Sequence, residues 1–127
     1  MRFDWSAAPS MAMNGMNASL DEAIDRVQAR YLNRSFCVVR DWVWIEFAAQ
    51  LTVAGGLASQ GLSPHVVVAI TILHDSQDRF RLGRGVRTSF LVDYEAPGYF
   101  ITQNTVYVLM GAGRRIQVPF MSEYLFF

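Results

Sequence analysis

Four guanidinium groups, Arg79, Arg81, Arg84 and Arg87, crowd into one short stretch of the chain, with Asp75 and Asp78 just ahead of them. A guanidinium is a fixed, planar, always-charged donor fork, so its chemistry is recognition of carboxylate, phosphate or backbone carbonyl rather than proton transfer. If the stretch is a hairpin, Arg79 and Arg81 point the same way, Arg84 lies near the bend and Arg87 returns along the next strand. Three uses fit that spacing: ion pairs within the fold, capture of an acidic protein partner, and contact with nucleic-acid phosphate. The run Arg81-Leu82-Gly83-Arg84-Gly85 is glycine-rich but follows neither the phosphate-loop nor the dinucleotide-binding pattern.

Groups that do covalent or metal chemistry are sparse. His65 and His74 bracket an extended apolar run, about 30 Å apart if it is a strand, and Cys37 and Asp75 add no ligand spacing. No metal or other cofactor is therefore expected. The pair His74-Asp75 suits an oriented base, yet no nucleophile stands out beside it, and Thr88 and Ser89 read as strand residues. Cys37, inside Phe36-Cys37-Val38-Val39, reads as a small buried hydrophobe. The expectation is a non-enzymatic chain with no catalytic residue.

Trp42 and Trp44 are two residues apart and share a face if extended, which suits either core packing or an interface anchor. The tail Val118 to Phe127 is unusually aromatic and suits either closure of the sheet or docking onto a second copy. A homodimer through that tail is the corresponding expectation.

The elements that must position these groups follow from periodicity. Ser19 is a good N-cap with Glu22 three residues on, and Leu20, Ala23, Ile24, Val27 and Tyr31 form an apolar stripe, predicting an amphipathic helix from Leu20 to about Leu32. Phe36 to Arg40 reads as a strand and Asp41 to Phe47 as a second, whereas Ala48 to Gln60 is ambiguous between a short helix and a loop weakened by Gly55-Gly56. Val66 to Leu73 is the strongest strand and, apolar on both faces, should be central. Val86 to Tyr94, Tyr99 to Ile101 and Thr105 to Met110 read as further strands separated by Glu95-Ala96-Pro97-Gly98 and Gln103-Asn104, and Ile116 to Val118 resumes pairing after Gly111-Ala112-Gly113. The fold class expected is α+β: an N-terminal amphipathic helix packed on a small, mainly antiparallel sheet of about five strands. Residues 1–18 read as a flexible leader, in which Met11, Met13 or Met16 could each be a start, and residues 19–127 as one domain.

Composition bounds the function classes. The chain has 127 residues, 52% hydrophobic and only 17% charged, with eleven arginines, no lysine and zero formal net charge. A neutral total speaks against a generic nucleic-acid binder, and the low charge favours burial against a partner. No apolar run is long enough for a membrane span and no signal-peptide pattern opens the chain, so the cytoplasm is the expected location.

Asp75, Arg79, Gly85-Val86-Arg87-Thr88-Ser89 with Leu91, and Thr102, Asn104-Thr105-Val106-Tyr107-Val108-Leu109, Gly111 and Gly113-Arg114 resemble a family of small uncharacterised bacterial proteins of prophages and mobile elements. Cys37 to Trp42 resembles that family's first strand and turn. The chain departs from it at Leu82-Gly83-Arg84-Gly85, where the family favours a tryptophan-bearing connection. The resemblance implies a shared fold and a role as regulator or inhibitor of a host process, and brings no activity or cofactor. The leading expectation is a protein-interaction module using Arg79, Arg81, Arg84, Arg87, Trp42 and Trp44 against an acidic partner. A nucleic-acid-binding accessory protein and a small enzyme centred on His74 and Asp75 are the alternatives.

Overall fold

The computed structural model describes residues 9–48, 51–80 and 84–118. In chain order the elements are β1 (Ser10–Asn14), α1 (Leu20–Arg30), β2 (Phe36–Phe47), α2 (Leu51–Ser59), β3 (His65–Asp75), β4 (Val86–Arg87), β5 (Asp93–Glu95), β6 (Tyr99–Ile101), β7 (Val106–Leu109) and β8 (Ala112–Val118). This corrects the expected α+β fold with about five strands: the protein is mostly β, and its described residues form one curled sheet of eight strands with two short helices. The undercount arose because sequence periodicity finds strands long enough to show a period, and several of these have only two to four residues.

The sheet is organised around β2. Along one edge β2 pairs antiparallel with β3 over nearly its whole length. Along the other edge it has two parallel partners in succession, β7 beside Phe36–Val39 and β8 beside Val43–Phe47. The sheet therefore forks at Arg40–Trp42. One limb continues from β7 to β6 and β5, and the other from β8 to β1. The register offset is 70 residues at Phe36↔Val106 and 71 at Val43↔Arg114, so the β7–β8 run carries one residue more than β2 across the fork.

Both long strands turn over at the same level. Cys37 and Val39 of β2 face the inner cluster, and so do Trp42 and Trp44, which is a switch from odd to even positions. β3 makes the matching switch between Ala69 and Ile72. The residues between them, Arg40, Asp41, Ile70 and Thr71, lie opposite one another outside that cluster, and Asp41 takes a left-handed φ of 54°. Two apparent strands at Phe36–Arg40 and Asp41–Phe47 are thus one strand with a turnover in it.

Trp42 fills the fork. It is fully buried, and its indole N–H donates to Met110 O at 3.1 Å, while Met110 N–H donates to Val39 O at 2.9 Å. The extra residue of the β7–β8 run is absorbed at Gly111, whose φ of 68° disfavours a side chain. A Cβ at Gly113 would overlap the Trp42 ring, so glycine there is what lets β8 lie flat on the indole.

Three apolar clusters result. The inner one, from Cys37, Val39, Trp42, Trp44, Val67, Ala69, Ile72, Leu91, Phe100, Tyr107 and Leu109, lies inside the curl. Residues 88–92 link β4 at the β3 edge to β5 at the β6 edge, through Leu91 N–H to His65 O and Val92 N–H to Ile101 O. That is why the expected strand Val86–Tyr94 is broken: it crosses between two edges of one sheet. The second cluster packs Ala23 and Val27 of α1 against Phe36, Val38, Tyr99, Val106 and Val108. The third contains Ile45, Phe47, Val66, Ile116 and Val118 on the outer face of the other limb.

The helix α1 starts as expected, with the reciprocal Ser19–Glu22 capping box and an acidic first turn. Within residues 9–18, Ser10–Asn14 form β1, paired with β8, and the buried Met16 bridges to Met110; residues 1–8 lie outside those described. Val66–Leu73 does form the expected long strand, within β3, but with only the two-residue β4 beyond it on the open side. Among the described residues no helix is long and apolar enough to cross a membrane.

Two glycine substitutions separate the fork from ordinary backbone effects. Gly113→Ala should destabilise by about 1–3 kcal/mol, because the new methyl must displace Trp42. Gly56→Ala, in α2 with open space around it, should stabilise by roughly 0.5–1 kcal/mol. Urea unfolding of the two variants checks the pair.

Candidate functional site

The arginine group divides on inspection. Arg79 is engaged inside the fold. Its backbone N–H donates to Asp75 Oδ2 at 2.6 Å, its Nη2 to Asp75 Oδ1 at 2.9 Å and its Nη1 to Thr105 Oγ1 at 3.0 Å. Asp75 closes β3, and its side chain is only 1% exposed against 31% for Arg79. Burial pushes the Asp75 carboxyl up, but the hydrogen bonds and charge of Arg79 outweigh it and hold the group below its ordinary value. Arg79 is thus a clasp between the end of β3 and the Thr102–Thr105 turn, which the Thr102 hydroxyl closes by donating to Thr105 O at 2.9 Å. It is not part of a free cationic surface.

Arg81 lies outside the described residues. Arg84 and Arg87 are exposed, and among the described residues neither has a carboxylate partner. Their backbone positions are fixed: Ile72 N–H donates to Arg84 O at 3.0 Å, and Arg87 pairs with Val68. By the two-residue period of β3, Arg87 shares an outer face with Val68 and Ile70. Ile70 is 67% exposed, although it lies in the most apolar run of the chain. Strand alternation puts it there, just before the turnover, with Arg40 and Asp41 opposite as an ion pair at 3.7 Å and the Thr71 hydroxyl donating to Asp41 at 3.3 Å. A shallow groove of about 410 Å³ runs beside it, lined by Val68, Ile70, Gly85, Val86 and Arg87.

Trp42 and Trp44, expected as a pair on one face, do share that face, but it is the inside of the curl. Both are buried, so neither offers an anchor to a partner. Trp44 meets Phe100 and Tyr94 edge-on, with ring centroids 4.9 and 5.0 Å apart, and the Arg115 guanidinium lies 5.5 Å from its ring centre.

A second polar group stands at the mouth of the curl. Trp44 Nε1–H donates to His65 Nδ1 at 2.9 Å, Arg115 holds Glu46 at 2.8 Å, and the Gln117 amide donates to the same Glu46 oxygen at 3.2 Å. With Nδ1 occupied as an acceptor, neutral His65 carries its proton on Nε2. Burial holds His65 below its ordinary value, opposed by Glu46 and reinforced by Arg115. The hydrogen bond from Arg115 is the main reason Glu46 sits low. An open cleft of about 640 Å³ adjoins the group, lined by Pro9, Ser10, Met11, Glu46, Arg115 and Gln117. Sequence reasoning missed both this cluster and Ile70. Glu46 and Arg115 are 69 positions apart, and nothing in the mostly apolar run Val66–Leu73 marks Ile70 as the residue left exposed.

His74 and Asp75 do not form an oriented base. The Asp75 carboxylate is taken by Arg79, and the His74 ring stacks on Phe36 with centroids 5.5 Å apart. Cys37 is fully buried, and burial, then Asp75, push its thiol up to about 12, which suits an inert core residue. Among the described residues no three His, Cys, Asp or Glu side chains converge on a metal site. Of the tail Val118 to Phe127 expected at a dimer contact, Val118 is buried at the end of β8, and residues 119–127 lie outside those described.

A family model described as "Domain of unknown function (DUF6957)" matches residues 14–124, and the chain belongs to that family. No curated protein and no solved structure matches it.

Two substitutions test the electrostatics. Asp75→Asn should cost about 2–3 kcal/mol in urea unfolding, a little under the usual cost of breaking a buried pair because Arg79 is partly in water. Since the folded carboxyl titrates below 3.8, its stabilisation is complete above that pH and fades as pH falls through the lower folded value; the variant should lack that part of the acid limb. His65 titrates below 6.5 when folded, so the unfolded chain binds the extra proton first and stability falls as pH drops below 6.5. His65→Gln should flatten that slope in unfolding curves recorded across the weakly acid range.

Proposed function

We propose that the chain is a non-enzymatic interaction module that captures an acidic segment of a protein partner on the outer face of β3 and β4. The observation that carries this reading is the exposed Ile70 beside Arg84 and Arg87, two cations without a carboxylate partner among the described residues. An apolar side chain held on the outer face of β3 gives a partner area to bury, while the flanking guanidiniums supply register and electrostatic steering. The groove along Val68, Gly85 and Val86 gives an extended segment a place to lie. Arg79, Trp42 and Trp44 act on this surface only by fixing the strands beneath it.

The likeness of the Val-Arg-Thr-Ser and Asn-Thr-Val-Tyr segments to mobile-element proteins supports a regulator or inhibitor of a host process as the setting for that contact. Zero net charge favours a protein partner over nucleic acid, because a phosphate binder gains from a broad basic excess that this chain lacks.

Capture on the immobilised chain from a native bacterial extract, followed by titration of the purified partner, tests the reading. An acidic protein is expected to bind the wild type and to lose roughly tenfold in affinity to Arg84→Ala/Arg87→Ala, with the thermal midpoint of the double variant unchanged. Equal affinity of the double variant, or recovery of nucleic acid with a steep salt dependence in place of a protein, would refute it.

A further inference from the structure

The edge of the sheet at β1 is of a different kind. β1 closes the order β1-β8-β2, pairs with β8 along one edge, and among the described residues has no strand on the other. Natural edge strands are usually guarded by charge, proline or a bulge. β1, Ser10-Met11-Ala12-Met13-Asn14, carries none of these within its span, and Pro9 stands immediately before it. Its Met11 is 63% exposed.

The direction of its backbone groups follows from the ladder. Gly15 N–H donates to Gly111 O at 2.7 Å, in the same antiparallel register as Met13↔Gly113 and Met11↔Arg115. Narrow and wide pairs alternate, so Met13 and Met11 direct their backbone groups to β8, and Ser10, Ala12 and Asn14 direct theirs outward. Side chains alternate too. Met13 packs on the inner cluster beside Trp42, which puts Met11 on that same face and Ser10, Ala12 and Asn14 on the opposite one.

From these observations we infer that β1 is the pairing edge of a homodimer, joined antiparallel to β1 of a second copy about a two-fold axis through Ala12. The sequence of the strand is self-complementary in that arrangement. Ala12 meets Ala12, Met11 lies beside Met13 of the second copy, and Ser10 lies beside Asn14, so apolar meets apolar and polar meets polar on each face. The outward N–H and C=O groups of Ser10, Ala12 and Asn14 find partners in the same groups of the other chain, as an isologous contact requires. Met11 leaves water against Met13, extending the inner apolar face across the axis. Zero net charge removes the long-range repulsion that opposes self-association. Pro9, with no N–H to give towards β8, ends the β1–β8 ladder at Ser10.

The axis through Ala12 makes the test specific, because only that position faces itself. In light scattering from about 1 to about 500 µM, a range suited to a small interface, the mass should rise from 14.4 kDa toward twice that value. Ala12→Glu and Ala12→Arg each put like charges opposite one another and should stay monomeric, while their equimolar mixture should dimerise again. The side chain is exposed and its backbone groups do not serve β8, so circular dichroism should match the wild type. Hydrogen exchange on the wild type gives a readout without substitution: the Ala12 amide should gain protection as concentration rises. A wild type that remains monomeric, an Ala12→Glu variant that dimerises like it, or a mixture that stays monomeric would overturn the assignment.

Discussion

One strand with two successive parallel partners on the same edge is the constraint from which the rest of this structure follows. Between β7 and β8 the register against β2 shifts by one residue, so the ladder along that edge is interrupted and the space at the interruption has to be filled. Trp42 fills it. Its indole spans from β2 to the Met110 carbonyl and lies against Gly113, while Gly15 passes so close to the Leu109 carbonyl that a Cβ there would overlap it. The inner cluster, the outward ridge at Ile70 and the position of β1 at the end of one limb all depend on where that fork falls.

Polar clasps hold the periphery to this centre. Arg79, Asp75 and Thr105 tie the end of β3 to the turn before β7. Arg30 and the Tyr31 hydroxyl both donate to Glu95, with the Tyr31 and Tyr99 rings edge to face at 5.2 Å, and so tie the end of α1 to β5. Arg115 and Glu46 join β8 to β2. Three of the chain's eleven carboxylates, Asp75, Glu95 and Glu46, serve these clasps, whereas Arg84 and Arg87 flank an apolar residue rather than an acid.

Much of the local structure was legible in the sequence, and the long-range structure was not. Ser19 and Glu22 marked the helix start because a cap is a contact between near neighbours. The β3 run and the turns at Glu95–Gly98 and Thr102–Thr105 were readable for the same reason, from composition over a few residues. Trp42 and Trp44 were placed correctly on one face, but their spacing carries no sign of whether that face looks in or out. The fork has no local signature either. It joins Trp42 to Met110 and Gly113, about seventy positions away, and only the pairing of whole strands brings them together. The arginines illustrate the limit most plainly: Arg79 lies four residues after Asp75, so the pairing was foreseeable, while the exposure of Arg84 and Arg87 depends on β4 joining the far edge of β3.

The most direct measurement of the fork is site-resolved amide hydrogen exchange under native conditions. If the junction holds the two limbs together, the amides of Leu109, Met110 and Gly111, which donate to Gly98, Val39 and Met16, should exchange only by global unfolding, with the same free energy as the centre of the β2–β3 ladder. Exchange of those three amides through local opening, at a free energy well below that of β2 and β3, would contradict it.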